Sequence, residues 1–160
     1  MIKTSLLRRS APAILALVLV GCAPKRIPGT AIDDTDETRA ILGVMEKYRS
    51  AIESKDVNGV MTLLDPSFKD DAGTSGPEDD LNYEALKQKL PDQFAQTEEL
   101  KLDVTVKKIT VNKNDTADVV YSYNTAYKLP KLSNKLLSDS ELDQMTLKRV
   151  NGTWKIISGI

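Results

Sequence analysis

From Leu100 towards the C-terminus the apolar residues recur at every second position, and the phase of that alternation slips once. Leu100, Leu102, Val104 and Val106 alternate with Lys101, Asp103, Thr105 and Lys107, and Ile109 and Val111 then continue on odd numbers. A period of two sends successive side chains to opposite faces of a strand, one apolar and one polar. The change from even to odd at Lys107–Lys108 requires one extra residue, a β-bulge, and a bulge bends the strand that carries it. A bent strand with one apolar face has to wrap around something convex.

The following residues supply more strands. Asn112 to Asp115 turn the chain. Val119, Tyr121, Tyr123 and Tyr127 then share one face, with Asp118, Ser122 and Asn124 on the other. Residues 128–140, with Lys128, Lys131 and Lys135, are expected to form a long loop. Met145 and Leu147 begin a third strand. Asn151-Gly152 is a type I′ hairpin signal, because both central residues of that turn need positive φ. Trp154 and Ile156 face inward on the last strand.

The earlier half of the chain has a helical period. Ile41, Val44, Met45, Tyr48 and Ile52 lie on one face of a helix predicted over about 36–54, with Asp34 to Asp36 at its start to cap it and complement its dipole. Asp56 caps a second, shorter helix that ends at Asp65-Pro66. Phe68 to Asp71 suits a short strand, and DAGTSGPEDD a loop. Asn82 caps a third helix with Tyr83, Leu86, Leu90 and Phe94 on one side, where Pro91 is expected to kink or break it. The acidic cluster Asp70, Asp71, Glu78, Asp79 and Asp80 lacks the spacing of a calcium loop and reads as solvated surface.

The first thirty residues carry an address. Lys3, Arg8 and Arg9 precede the apolar run Ala11 to Val20, which at about 1.5 Å per residue is too short to span a bilayer. This is the pattern of a secretory signal. It ends in Leu19-Val20-Gly21-Cys22, which resembles the bacterial lipobox and holds the only cysteine in the chain. The resemblance implies cleavage between Gly21 and Cys22, lipidation of Cys22, and an envelope protein anchored in the outer membrane facing the periplasm, since Ala23 is not the inner-membrane retention residue. Residues 1–21 are then the signal peptide, and 22–35, rich in Pro, Gly and charge, a flexible tether. Removal of the signal leaves 19 basic against 23 acidic residues, so no basic face for nucleic acid is expected.

Helix, short helix, Asp-Pro, weak strands, third helix, then long strands closing with Val150-Asn151-Gly152-Thr153-Trp154-Lys155-Ile156 resembles the nuclear transport factor 2-like superfamily, including its SnoaL-like members. The resemblance covers residues 36–160. It implies an α+β fold, a cone in which a curved antiparallel sheet wraps around an N-terminal helix. Members include isomerases, dehydratases, cyclases and hydrolases, and also non-catalytic binding, multimerisation and assembly domains, so the fold alone assigns no activity.

The residue inventory narrows the chemistry. The chain has no histidine, the side chain best suited to proton transfer at neutral pH and the commonest metal ligand. With a single cysteine no zinc site is expected, and no cofactor is implied. Isomerase members pair a Tyr oxyanion donor with an Asp base. Tyr121, Tyr123 and Tyr127 could donate, but strand parity places no carboxylate beside them, and Asp103 and Asp118 fall on the opposite face. Arg149 is the only arginine with inward parity. The tyrosine stripe reads either as core or, with Trp154 and Arg149, as the lining of a pocket for an apolar ligand. The expectation is therefore a lipid-anchored, non-catalytic domain that binds a small apolar ligand or an envelope protein. A SnoaL-like isomerase or hydrolase, and a structural subunit that self-associates as a homodimer, are the alternatives.

Overall fold

The computed structural model describes residues 25–70, 80–131 and 133–160, so Gly21 and Cys22, and most of the 69–81 loop, lie outside the described residues. Helix α1 spans Asp36–Glu53. Thr35 caps it by accepting from the Thr38 N–H while the Thr38 side chain accepts from the Thr35 N–H, and Asp36 and Glu37 sit in the first turn, where the dipole favours negative charge. Its inward face is Thr38, Ile41, Val44, Met45, Tyr48 and Ala51, at helical spacing. Helix α2, Val57–Leu63, starts at the Asp56 cap. A two-residue ladder pairs β1, Lys69–Asp70, with β2, Leu81–Asn82. Helix α3, Tyr83–Gln96, is capped by Asn82 and runs through Pro91 without a break. The helix is not broken there: Leu90 and Phe94, on either side of Pro91, are both buried and hold one continuous apolar face.

Four strands then form one antiparallel meander: β3, Glu98–Val111; β4, Thr116–Leu129; β5, Ser133–Val150; and β6, Thr153–Ser158. The register of β3 on β4 shifts between Val106 and Lys108, the position at which the hydrophobic phase slips. Asn151 and Gly152 both have positive φ, 50° and 79°, as the type I′ turn requires. Apolar side chains of the sheet's inner face pack on α1, and Leu64, Phe68 and the α3 residues close the core from the side.

Two expectations need correction. Residues 128–140 are not a loop: β4 continues to Leu129 and β5 begins at Ser133, with Tyr127 opposite Leu137 and Tyr123 opposite Glu141. Backbone pairing with β4 stabilises this segment although its sequence has no alternating pattern. The tether over 22–35 is also shorter than expected. From Lys25 the chain turns back on itself, with Arg26 bridged to Asp33 and the Ile27 N–H donating to the Ile32 carbonyl at 2.9 Å. Lys25 and Arg39 both pair with Asp34, at 3.0 and 2.5 Å, and Ile32 is buried. An apolar side chain that finds a buried site holds a short turn that a Pro- and Gly-rich sequence would leave free.

Candidate functional site: a cavity lined by tyrosines

A cavity of about 160 Å³ lies between the sheet and the C-terminal half of α1. Tyr48 and Ile52 line it from α1, Leu102 and Val104 from β3, Tyr121, Tyr123 and Thr125 from β4, and Asp143 from β5. Ile160 closes one side. Tyr48, Ile52, Thr125 and Ile160 also line an adjoining cleft of about 370 Å³, whose far wall is Leu86, Leu90 and Phe94 of α3 and which includes Tyr127.

Strand register gives the polar side of the cavity its order. Tyr121 lies opposite Asp143, Tyr123 opposite Glu141 and Thr125 opposite Asp139. Directly opposed residues of an antiparallel pair share a face, so each hydroxyl stands across from an acidic residue. The Tyr123 hydroxyl donates to Glu141 at 3.3 Å. That of Tyr121 has two acceptors, the Gly159 carbonyl at 3.2 Å and Asp143 at 3.4 Å, for its single proton. The two rings are tilted by 39°, with centroids 6.3 Å apart. Tyr48 is 8% exposed, and its hydroxyl makes no hydrogen bond among the described residues.

All three phenols stay protonated at neutral pH. Burial pushes the Tyr48 hydroxyl well above the ordinary tyrosine range, and the charges of Asp143 and Asp70 add to it. Tyr121 is raised in the same way, by burial first and then by Tyr48 and Asp143. Tyr123 is pushed up to about 12 by burial, with Asp139 and Glu141 next. Each charged neighbour that raises these values is negative. Asp70 also fixes the wall of the cavity: its Oδ2 accepts the N–H groups of Gly159 and Ile160 at 3.0 and 2.9 Å.

The candidate residues divide. Tyr121 and Tyr123 line the cavity and Tyr127 the cleft, whereas Arg149 and Trp154 line neither. Arg149 pairs with Glu37 in the first turn of α1, has Asp115 3.8 Å from its Nε, and lies over the Trp154 ring at 4.7 Å. Eleven residues of helix separate Glu37 from Tyr48, about 16 Å at 1.5 Å per residue. Inward parity put Arg149 and Trp154 on the correct face but at the opposite end of the cone, where they tie the sheet to the start of α1. Asp118 is on the outer face as expected, where it accepts from Asn112 at 2.9 Å and Thr146 at 3.1 Å.

The expectation that no carboxylate reaches the cone is corrected by Asp143. Its parity is that of Met145 and Leu147, so extending β5 backwards by one alternation would have found it. Glu141 and Asp139 follow by the same step. Tyr48 was legible only as part of the α1 stripe. Among the described residues no three His, Cys, Asp or Glu side chains converge to hold a metal ion, and no helix is long and apolar enough to cross a membrane.

No family model matches the sequence, and no curated protein matches it. Solved structures do. A conserved protein from Planctomyces limnophilus superposes with a TM-score of 0.66 at 14% identity, over 77% of this chain and 92% of that one. A ketosteroid isomerase-like protein from Erwinia carotovora gives 0.65 at 13% identity, over 79% and 95%. A nuclear transport factor 2-like protein of unknown function from Shewanella oneidensis gives 0.60 at 14%, over 77% and 96%. Helices packed on a bent four-stranded meander, in the same arrangement as these structures, identify the architecture of this chain as the α+β nuclear transport factor 2-like fold.

Proposed function

We propose that this chain is a lipid-anchored protein of the bacterial envelope whose domain binds a small, largely apolar ligand without transforming it. The cavity beside Tyr48 carries the binding reading, because it is concave, has mainly apolar walls and holds a few convergent polar groups, the ordinary make-up of a small-molecule site. A cavity of about 150 Å³ is known to accept a single benzene-sized ring, and this one has a comparable volume plus an apolar cleft beside it. The anchor rests on the sequence Leu19-Val20-Gly21-Cys22.

Binding is tested with the full chain in a nonionic detergent and 2-phenylethanol as the probe. Calorimetric titration should show saturable binding, and Thr125→Trp, placed where cavity meets cleft, should abolish it. Saturable binding that survives Thr125→Trp would place the ligand elsewhere. For the anchor, Cys22→Ser should leave the signal uncut or release the protein from the membrane fraction. A variant that still matures and stays membrane-bound would overturn that part.

One observation favours a second reading. Asp143 and the unpartnered Tyr48 hydroxyl face one cavity, the pairing of base and hydrogen-bond donor that proton transfer next to a carbonyl needs. One of the structures with this fold is called ketosteroid isomerase-like. Against it, Asp143 already accepts from Tyr121 at 3.4 Å and from the Gln144 N–H at 2.6 Å, and Tyr121 has spent its proton on Asp143 or Gly159. Conversion of cyclohex-3-enone to its conjugated isomer, followed by ultraviolet absorbance and lost in Asp143→Asn, would establish the enzyme reading.

A further inference from the structure

We infer that the ligand of this cavity carries a cationic ammonium group on a small apolar or aromatic body. The inference rests on the small-molecule reading above and adds the chemical class. Three independent features of the site lead to it.

The first is the charge of the walls. The carboxylate of Asp143 opens on the cavity, Glu141 and Asp139 continue the same face of β5, and Asp70 holds the Gly159–Ile160 wall. Among the described residues no Lys or Arg lines the cavity or the cleft, and none forms an ion pair with Asp139, Glu141 or Asp143. A carboxylate beside apolar walls interacts with a charge more strongly than in water, so a cation is attracted and an anion repelled.

The second is the Tyr48 hydroxyl. Tyr48 is more than nine-tenths buried, borders the empty volume and has no partner among the described residues. A hydroxyl with no protein partner that reaches accessible space can bond what enters it: its oxygen can accept from an ammonium N–H while its own proton turns to another acceptor. With Asp143 and the Tyr121 oxygen it gives the site a set of acceptors, which suits a ligand that brings donors.

The third is aromatic. Tyr48, Tyr121 and Tyr123 all border the same space, and the rings of the last two are tilted by 39° to each other. Tyrosine faces attract cations through the ring quadrupole. The apolar body has a place as well, since the cleft leads from Thr125 to Leu86, Leu90 and Phe94.

The test compares three probes of one shape on the full chain in nonionic detergent at pH 7: 2-phenylethylamine as its ammonium ion, 2-phenylethanol, and phenylacetate. The ammonium should bind at least ten-fold tighter than the alcohol, and phenylacetate should bind more weakly than either. Asp143→Asn should erase the advantage of the ammonium over the alcohol, and an unchanged far-ultraviolet circular dichroism spectrum shows that the variant is folded. Should that variant not fold, the wild-type ranking of the three probes carries the same test. An alcohol that binds as tightly as the ammonium, or an acetate that binds tighter, would overturn the charge inference and leave the ligand-binding reading standing. Absence of binding by all three would remove both.

Discussion

Replacing Gly159 by Ala should unfold the wall of the cavity from the strand beneath it, and a matched glycine measures how much of the effect is packing. Gly159 has φ +81°, and a Cβ built there would lie 2.0 Å from the Gln144 carbonyl oxygen and 2.8 Å from the Met145 Cα. These are backbone atoms of β5 and cannot rotate away. Gly152 has nearly the same φ, +79°, but a Cβ there meets nothing within 4 Å. Left-handed backbone costs an L-residue about 1–2 kcal/mol, and both substitutions incur that term. At Gly159 the main chain must also retreat, which loosens the two N–H bonds to Asp70 and the Tyr121 bond to the Gly159 carbonyl. A hydrogen bond to a charged acceptor contributes about 1.5–3 kcal/mol. Gly159→Ala should therefore cost about 3–5 kcal/mol, and Gly152→Ala about 1–2 kcal/mol. Urea unfolding of the two variants, followed by far-ultraviolet circular dichroism, gives the difference directly. Equal losses within about 0.5 kcal/mol would mean that Gly159 does not lie against β5, and the cavity would lose the wall that Asp70 fixes.

Two other expectations concern stability. Tyr48, Tyr121 and Tyr123 have folded pKa values above the ordinary phenol value near 10, so the unfolded chain releases protons first as pH rises. Their contribution is fully present below about pH 10 and is lost as pH climbs towards the folded values; absorbance at 295 nm should show these three phenols ionising together with unfolding, and ionisation well before it would refute the burial. Pro91→Ala should stabilise the protein by about 1–2 kcal/mol, since it restores the helical hydrogen bond to the Lys87 carbonyl at an exposed position while giving back some unfolded-state entropy. A lower urea midpoint for that variant would mean that the proline shapes the α3 face rather than being tolerated by it.

The parts of the fold that were legible in the sequence are those where one local rule dominates. The bulge in β3 shows as a slip from even to odd apolar positions, and the last hairpin as Asn151-Gly152. Helices α1 and α2 begin where their capping side chains stand, Thr35 and Asp56. The upper half of β5 obeys no such rule. Its inner positions are Asp139, Glu141 and Asp143, while Leu136 and Leu142 point outward and are 58% and 63% exposed. Read by hydropathy alone, this segment is either a loop or a strand facing the wrong way. What makes it a strand is the backbone of β4: once Tyr121 to Leu129 is extended and paired with β3 on one side, its remaining N–H and C=O groups need a partner on the other.

That inversion also bears on why an acid, Asp143, lines the cavity and two more follow it along β5. A bulge near Gln144 would have turned Leu136 and Leu142 inward and the carboxylates out, as the bulge in β3 changes its phase. β5 has none in its pairing with β4 from Lys148 to Leu136, so the phase is carried unbroken from Met145 and Leu147, both fully buried. Burial of such side chains contributes about 1.5–3 kcal/mol each, and two leucines of the same worth are left in solvent by keeping that phase. Hydrophobic burial alone therefore gives the chain no reason to prefer a straight β5 to a bulged one. The straight strand does gain a hydroxyl opposite each of three carboxylates, Tyr121 with Asp143, Tyr123 with Glu141 and Thr125 with Asp139. A row of acids next to an apolar cavity is itself unfavourable by mutual repulsion, and it becomes useful where a cation is to be held.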